Sequence, residues 1–241
     1  MTLYDGLDAE RLEHLTGVSL VVLRSSLPST QDEAHRRAAG GAPSGTLVLA
    51  DAQTAGRGRQ GRAWLSPAGR GVWLSLLLRP ARAPQGGALA IRCGLACLAA
   101  LAEVVPGVAA RLRWPNDIVV AGRKLGGILC EARWSGADVS WVAVGVGINV
   151  SGGVDPAVRD RAIALTDVTA GVSRVALVAA LAPRLRALEP LPPLLDAAER
   201  RAFLAAEWRE EGAEPTADLA ADGALLVRSA SGALYRRVSA P

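Results

Sequence analysis

Apolar and polar positions alternate along this chain in blocks that read as a mixed strand-and-helix protein. SLVVLRSSLPS, from Ser19, predicts a strand that stops at Pro28. STQDEAHRRAAGG then predicts a helix, with Thr30 and Glu33 at capping-box spacing and a Gly-Gly stop. TLVLADAQ (46–53) and GVWLSLLLR (71–79) predict two further strands. Residues 87–105, GALAIRCGLACLAALAEVV, are almost wholly apolar and predict a long buried helix. RLRWPNDIVV, GRKLGGILCEARW and SWVAVGVGINV follow as strands joined by tight turns, the pattern of an antiparallel sheet. Two further stretches, 173–189 and 196–212, predict helices, and the tail from Ala221 predicts a short hairpin. Strands and helices in this order indicate the α+β class.

Composition narrows the function classes. The chain has 241 residues, half of them apolar and about a fifth charged, as expected of a globular protein with one substantial domain. No apolar run reaches the roughly 18 residues of a membrane span, and MTLYDGLDAERLEHL lacks the apolar core of an export signal. Three cysteines are too few for a disulfide framework, and Cys93 and Cys97, four apart in the apolar helix, read as buried thiols. Together these point to a cytoplasmic protein without membrane contact. The formal charge of +4 is spread along the chain and largely balanced by acids, so it marks no nucleic-acid face. Lys124 is the only lysine in a chain that otherwise uses arginine for its permanent cations, which singles it out as a place where a compact ammonium is needed.

GRGRQG at 56–61 satisfies the glycine spacing of a dinucleotide-binding turn, but its context does not. A true fingerprint runs into an apolar helix and meets an acid about twenty residues on. Here the glycines run into Arg62, Ala63, Trp64 and a strand, and the region where the acid belongs reads LLLRPARA. What remains is a loop carrying Arg57, Arg59 and Arg62 beside glycines, suited to wrapping an anionic, phosphate-bearing ligand. With its like charges unpaired, such a loop is expected to be mobile until that ligand neutralises them.

GRGRQGRAWLSP, RWPND at 113–117, Lys124-Leu-Gly-Gly-Ile128 and GVGIN at 145–149, in this order, resemble the biotin protein ligases, of the monofunctional type without an N-terminal DNA-binding domain. The resemblance covers about half the chain. It implies a catalytic domain related to class II aminoacyl-tRNA synthetases, a mixed, largely antiparallel sheet with helices on one side, over residues 1–212. Residues 213–241 would then form a short C-terminal β-hairpin segment, a truncated form of the SH3-like domain that relatives carry. It further implies activation of biotin by ATP and Mg²⁺ to biotinyl-5′-AMP, then transfer to a lysine of a biotin carboxyl carrier protein, the acyl-CoA carboxylase subunit. DNA would not be a partner, and the sheet edge or hairpin leaves a homodimer open.

Residue by residue, the resemblance makes Lys124, Arg57 and Asp117 catalytic. Biotin and its adenylate would be held by Ser29, Thr30, Gln53, Gly56, Arg57, Gly58, Arg59, Lys124 and Gly127. The ATP and adenine end would fall to Arg59, Arg62, Trp64, Arg113, Asn116 and Asn149, with no protein residue ligating metal. Asp117 would orient the acceptor lysine, so that Asp117→Asn would impair transfer more than activation. Some positions keep a second reading: Ser29 and Thr30 as helix caps, Trp114 as core packing, and Gly145 and Gly147 as close-packing glycines within a strand. Arg113 stands where many relatives have lysine. A lipoate or octanoyl transferase shares the layout but not the GRGRQGR loop or RWPND. A nucleic-acid module would pair its arginines with exposed aromatics, which one Phe and two Tyr do not supply.

Overall fold

The computed structural model describes residues 2–152, 158, 160–229 and 231–238. Its strands are β1 (Leu20–Leu27), β2 (Thr46–Gln53), β3 (Gly71–Leu78), β4 (Ala110–Arg113), β5 (Asp117–Val120), β6 (Arg123–Ser135), β7 (Asp138–Asn149), β8 (Thr216–Leu219), β9 (Leu225–Arg228) and β10 (Leu234–Arg237). Its helices are α1 (Ala9–Thr16), α2 (Thr30–Ala39), α3 (Ala88–Val104), α4 (Arg174–Arg186) and α5 (Ala197–Ala206). Seven strands form one sheet in the order β1-β2-β3-β7-β6-β5-β4. Only the β1–β2 pair is parallel; the other neighbours run antiparallel. This is the mixed, largely antiparallel sheet the motifs implied.

The alternation in the central strands sets the layers. Leu47, Leu49, Leu74, Leu76, Val144 and Val146 are buried in one core with residues of α1, α3, α4 and α5. Residues of the other parity face the opposite way, where Val22, Val48 and Ala143 pack with Ala34 of α2. Four helices therefore cover one face as expected, while α2 lies alone on the other, and that second face carries the site. Ser75, between Leu74 and Leu76, points to it and is fully buried against α2.

Three local features differ from the sequence reading. The α2 cap is Ser29, whose Oγ accepts from Asp32 N, and not Thr30, which turns toward Gln53 instead. Helix α1 has no counterpart in the apolar pattern because its buried side is narrow, chiefly Leu12 and Thr16. Polar chemistry defines its ends: Asp8 accepts from Arg11 N at 2.9 Å, and Gly17 closes it at φ 63°. The last helix ends at Ala206 and not at 212, because the chain then runs beside β4, with Trp208 N donating to Leu112 O at 2.7 Å.

The tail forms a three-stranded sheet, β10-β9-β8, one strand more than a hairpin, and its last three residues lie outside the described ones. It is tied to the turn between β4 and β5 by Trp114 Nε1 donating to Gly223 O at 2.9 Å, and to the start of α3 by Gly87 N donating to Asp222 O at 2.7 Å. Trp114 thus serves packing as well as the turn. Arg92, buried in α3, donates to both oxygens of Glu199 and to Leu194 O, fixing α5 and the proline-rich joint before it. Cys93 and Cys97 are buried, and burial pushes both thiols up. Among the described residues no helix is long and apolar enough to cross a membrane.

Candidate functional site

The site is laid out by strand register. One row crosses four strands: Asp117 of β5 pairs with Gly127 of β6, Gly127 with Gly147 of β7, and Gly147 with Trp73 of β3. The middle of this row has no side chains, so the indole of Trp64 lies down on it. A Cβ on Gly147 would meet Trp64 Nε1 at 2.6 Å, and one on Gly127 would meet Trp64 Cζ3 at 3.4 Å. Trp73 supports the indole edge-on, with ring centroids 6.3 Å apart. Trp64 Nε1 is buried there without an acceptor among the described residues.

Lys124 closes one end of the row. Its ammonium lies 2.6 Å from Asp117 Oδ1 and 5.2 Å from the centre of a Trp64 ring. Asp117 Oδ2 accepts from Arg113 Nη2 at 2.7 Å, so one carboxylate serves two cations. The lysine backbone is pinned as well, by Lys124 N donating to Arg161 O and Ile163 N donating to Lys124 O. Asn116 ties the turn before Asp117 to β6 by donating to Ile128 O at 2.8 Å, and its Oδ1 accepts from Arg59 at 3.2 Å. Burial, opposed by nearby Asp117, pushes the Arg59 guanidinium down. Asn149 Nδ2 donates to Ile163 O at 3.2 Å, on the far side of the same segment.

A second, polar cluster lies at the N-terminus of α2. Thr30 N and Oγ1 both donate to Gln53 Oε1, at 2.7 and 3.1 Å. Gln53 Nε2 donates to Ser66 Oγ at 2.7 Å, which joins the glycine loop to β2. Ser75 Oγ lies 3.0 Å from Thr30 Oγ1 and 2.9 Å from Gln31 Oε1, and Gln31 donates to Ala143 O. Gly56 sits so close to Trp64 O and Ser66 Oγ that no side chain fits there. Gly58, by contrast, meets only ordinary contacts. Gly145 and Gly147 make room for Gln31 and Trp64, in keeping with their close-packing reading.

The loop charges are not unpaired. Arg57 donates to both oxygens of Glu131, at 3.1 and 2.9 Å, and pairs with Asp32 at 2.7 Å. Arg62 is exposed and donates to Gln60 Oε1 at 3.0 Å. The expected motive for loop mobility, repulsion among bare cations, is therefore absent at Arg57. A hydrogen bond from His35, and after it Arg57, hold the Glu131 carboxyl down at about 2 against the opposing effect of burial.

Known proteins resemble the chain across a stretch that includes this region. The model of the biotin/lipoate A/B protein ligase family matches residues 23–149, which include every site residue described above except Arg161 and Ile163. The chain belongs to that family. A biotin--[acetyl-CoA-carboxylase] ligase of Paracoccus denitrificans is 47% identical over 134 residues, 53% of each chain. The bifunctional ligase/repressor BirA of Bacillus subtilis is 43% identical over 135 residues, 54% of this chain and 40% of the relative. The chain thus aligns with about half, or less, of the length of these curated relatives. A solved biotin protein ligase from Aquifex aeolicus, in complex with biotin and ATP, superposes with a TM-score of 0.74 at 26% identity, covering 91% of this chain and 95% of the other.

Within this family member, the structure brings Lys124, Asp117, Arg113, Gly127 and Trp64 together, and groups Ser29, Thr30, Gln53 and Gly56 at the other end of the loop. Sequence reasoning missed Gln31, Ser66, Ser75, Asp32, His35 and Glu131. Glu131 was accessible from parity: it follows Gly127 and Leu129 at steps of two along β6, which puts it on the site face. Gln31 and His35 lie in the predicted helix STQDEAHRRAAGG, whose pattern carries no signal of which side packs on the sheet.

Proposed function

We propose that this chain is a biotin protein ligase: it joins biotin to ATP as biotinyl-5′-AMP and passes the biotinyl group to a lysine of a biotin carboxyl carrier protein. The observation that carries this reading is the lone lysine, held by Asp117 and the Trp64 ring at the end of a side-chain-free row of the sheet. A largely apolar acyl group suits a site walled by the Trp64 indole that covers this row, and a carboxylate suits the ammonium at its end. Thr30, Gln53 and Ser66 form a small, internally satisfied polar cluster that would exchange partners with a ureido head.

In the first step a carboxylate oxygen of biotin attacks the α-phosphorus, the bond to the bridging oxygen breaks, and pyrophosphate leaves. Negative charge gathers between two anions, so the step calls for fixed cations and exclusion of water. Arg113 and Lys124 carry two positive charges against the single negative charge of Asp117, leaving that end net positive. Arg59 approaches it from the loop through Asn116, the exposed Arg62 would reach the phosphates from the same loop, and Trp64 excludes water from the row. Asn149 and the segment at Ile163 lie at the adenine end in this reading. In the second step a neutral lysine amine attacks the biotinyl carbonyl, AMP leaves, and the amine gives up a proton to solvent; Asp117 would attract and orient the incoming amine.

Mg²⁺ finds no ready-made site. Among the described residues no group of three His, Cys, Asp or Glu side chains comes together, and both Asp117 oxygens are engaged by cations. The ion would arrive on the phosphates of ATP, as is usual for Mg²⁺, and no step here depends on a protein ligand to it. The reading is tested by incubating the protein with biotin, ATP and a carrier domain. Biotin linked to the carrier lysine, and absent when that lysine is replaced by arginine, is expected. Carrier left unmodified with active biotin and ATP present would overturn it.

A further inference from the structure

The polar chain behind Arg57 assigns that residue a task different from the one its motif suggests. Two carboxylates hold Arg57: Glu131 takes both terminal nitrogens and Asp32 lies 2.7 Å from Nη2. Glu131 is itself fixed from behind, by His35 Nε2 at 3.1 Å. Trp141 Nε1, which can only donate, lies 2.9 Å from His35 Nδ1. Nδ1 is therefore the acceptor, and Nε2 carries the proton given to Glu131. Arg79 stacks on Trp141 at 5.7 Å and donates to Ala38 O, Ala42 O and Ser140 O, anchoring the chain to the end of α2 and to β7.

The charges on the two ends of the site differ in sign. At the Lys124 end two cations share one carboxylate. At the Arg57 end one cation faces two carboxylates, so that end is net negative and repels a phosphate. We propose that Arg57 is a positioning residue: Glu131, set by His35 and Trp141, and Asp32 latch it to the scaffold, so that the loop from Gly56 to Ser66 holds Trp64 over the glycine row. Phosphate contacts belong to the Lys124 end. This rests on the reading of the loop as the cover of a biotin–ATP site, but the latch itself is a property of the protein alone.

Two readouts separate the possibilities. In the protein without biotin or ATP, Glu131→Gln is expected to speed trypsin cleavage after Arg59 and Arg62 by about fivefold or more, with cleavage elsewhere in the chain close to the wild-type rate, because a local closure is lost. In biotin-dependent ATP–pyrophosphate exchange, Arg57→Ala, Glu131→Gln and the double variant should all lose the same factor, since each opens the same latch. If Arg57 instead grips a phosphate, Glu131→Gln frees it: the KM for ATP stays level or falls, and cleavage of the loop does not change. Either result overturns the latch. Should Glu131→Gln fail to fold, Asp32→Asn, at an exposed carboxylate, and His35→Phe carry the same two readouts, and the same outcomes support or overturn the latch. Wild-type protein without exchange activity would sink the ligase reading, while the cleavage comparison would still decide the latch.

Discussion

Replacing Lys124 by arginine keeps the charge and changes only its shape, which makes it a sharp probe of the site. The ammonium sits 2.6 Å from Asp117 Oδ1, with the Trp64 ring 5.2 Å away. An arginine has a planar fork in place of a point charge and needs room on both sides of its plane. One side of that plane is already taken by the Trp64 indole, which lies over the glycine row 5.2 Å from the ammonium. The guanidinium must therefore lift Trp64 off the glycine row or leave Asp117. Either way one preorganised charge contact is lost, which typically costs about 3 kcal/mol, or roughly a hundredfold in rate. The assay is biotin-dependent ATP–pyrophosphate exchange on protein shown by circular dichroism to be folded. Exchange within about threefold of wild type would mean that the compact ammonium is not what the position requires, and the reasoning from the single lysine would fail.

Other expectations follow from the same contacts. Asp117→Asn leaves Arg113 and Lys124 facing each other without their shared carboxylate, so it should slow adenylate formation as well as transfer from preformed biotinyl-5′-AMP; single-turnover rates of the two steps measure both. Gly147→Ala puts a methyl group 2.6 Å from Trp64 Nε1 and should displace the indole, shifting tryptophan emission and costing about 1–3 kcal/mol of stability. The Glu131 carboxyl is lowered from 4.5 to about 2, so its contribution to stability is present above pH 4.5 and is lost as pH falls toward 2. Urea denaturation across that window should show the gap between wild type and Glu131→Gln closing as pH falls; a gap that stays constant would contradict the pairing.

Much of the sheet and of its chemistry was legible because period-2 alternation and turn residues are local signals. β2, β3 and the long helix α3 stand where their apolar runs place them. The RWPND and GRKLGG segments supply Asp117 and Gly127 of the row and Lys124 at its end. What stayed hidden depends on contacts far apart in the chain. The pairing of Arg57 with Glu131 spans 74 positions, and that of Thr30 with Gln53 spans 23. No window of sequence shows that Gln53 takes Thr30 N, leaving the α2 cap to Ser29. The side on which α2 packs was equally invisible, since its buried residues Thr30, Gln31, Ala34, His35 and Ala38 are mostly polar or small. α1 escaped because caps, and not an apolar stripe, define it.

The proposed chemistry turns on one reaction, the activation of a biotin carboxylate on the α-phosphate of ATP. Incorporation of labelled pyrophosphate into ATP tests it directly, since it requires a reversible adenylation and needs no carrier protein. Exchange is expected to depend on biotin, to find no support from lipoate at the same concentration, and to be lost in Lys124→Met. Exchange that proceeds without biotin, or no exchange with biotin, ATP and Mg²⁺ all present, would contradict it.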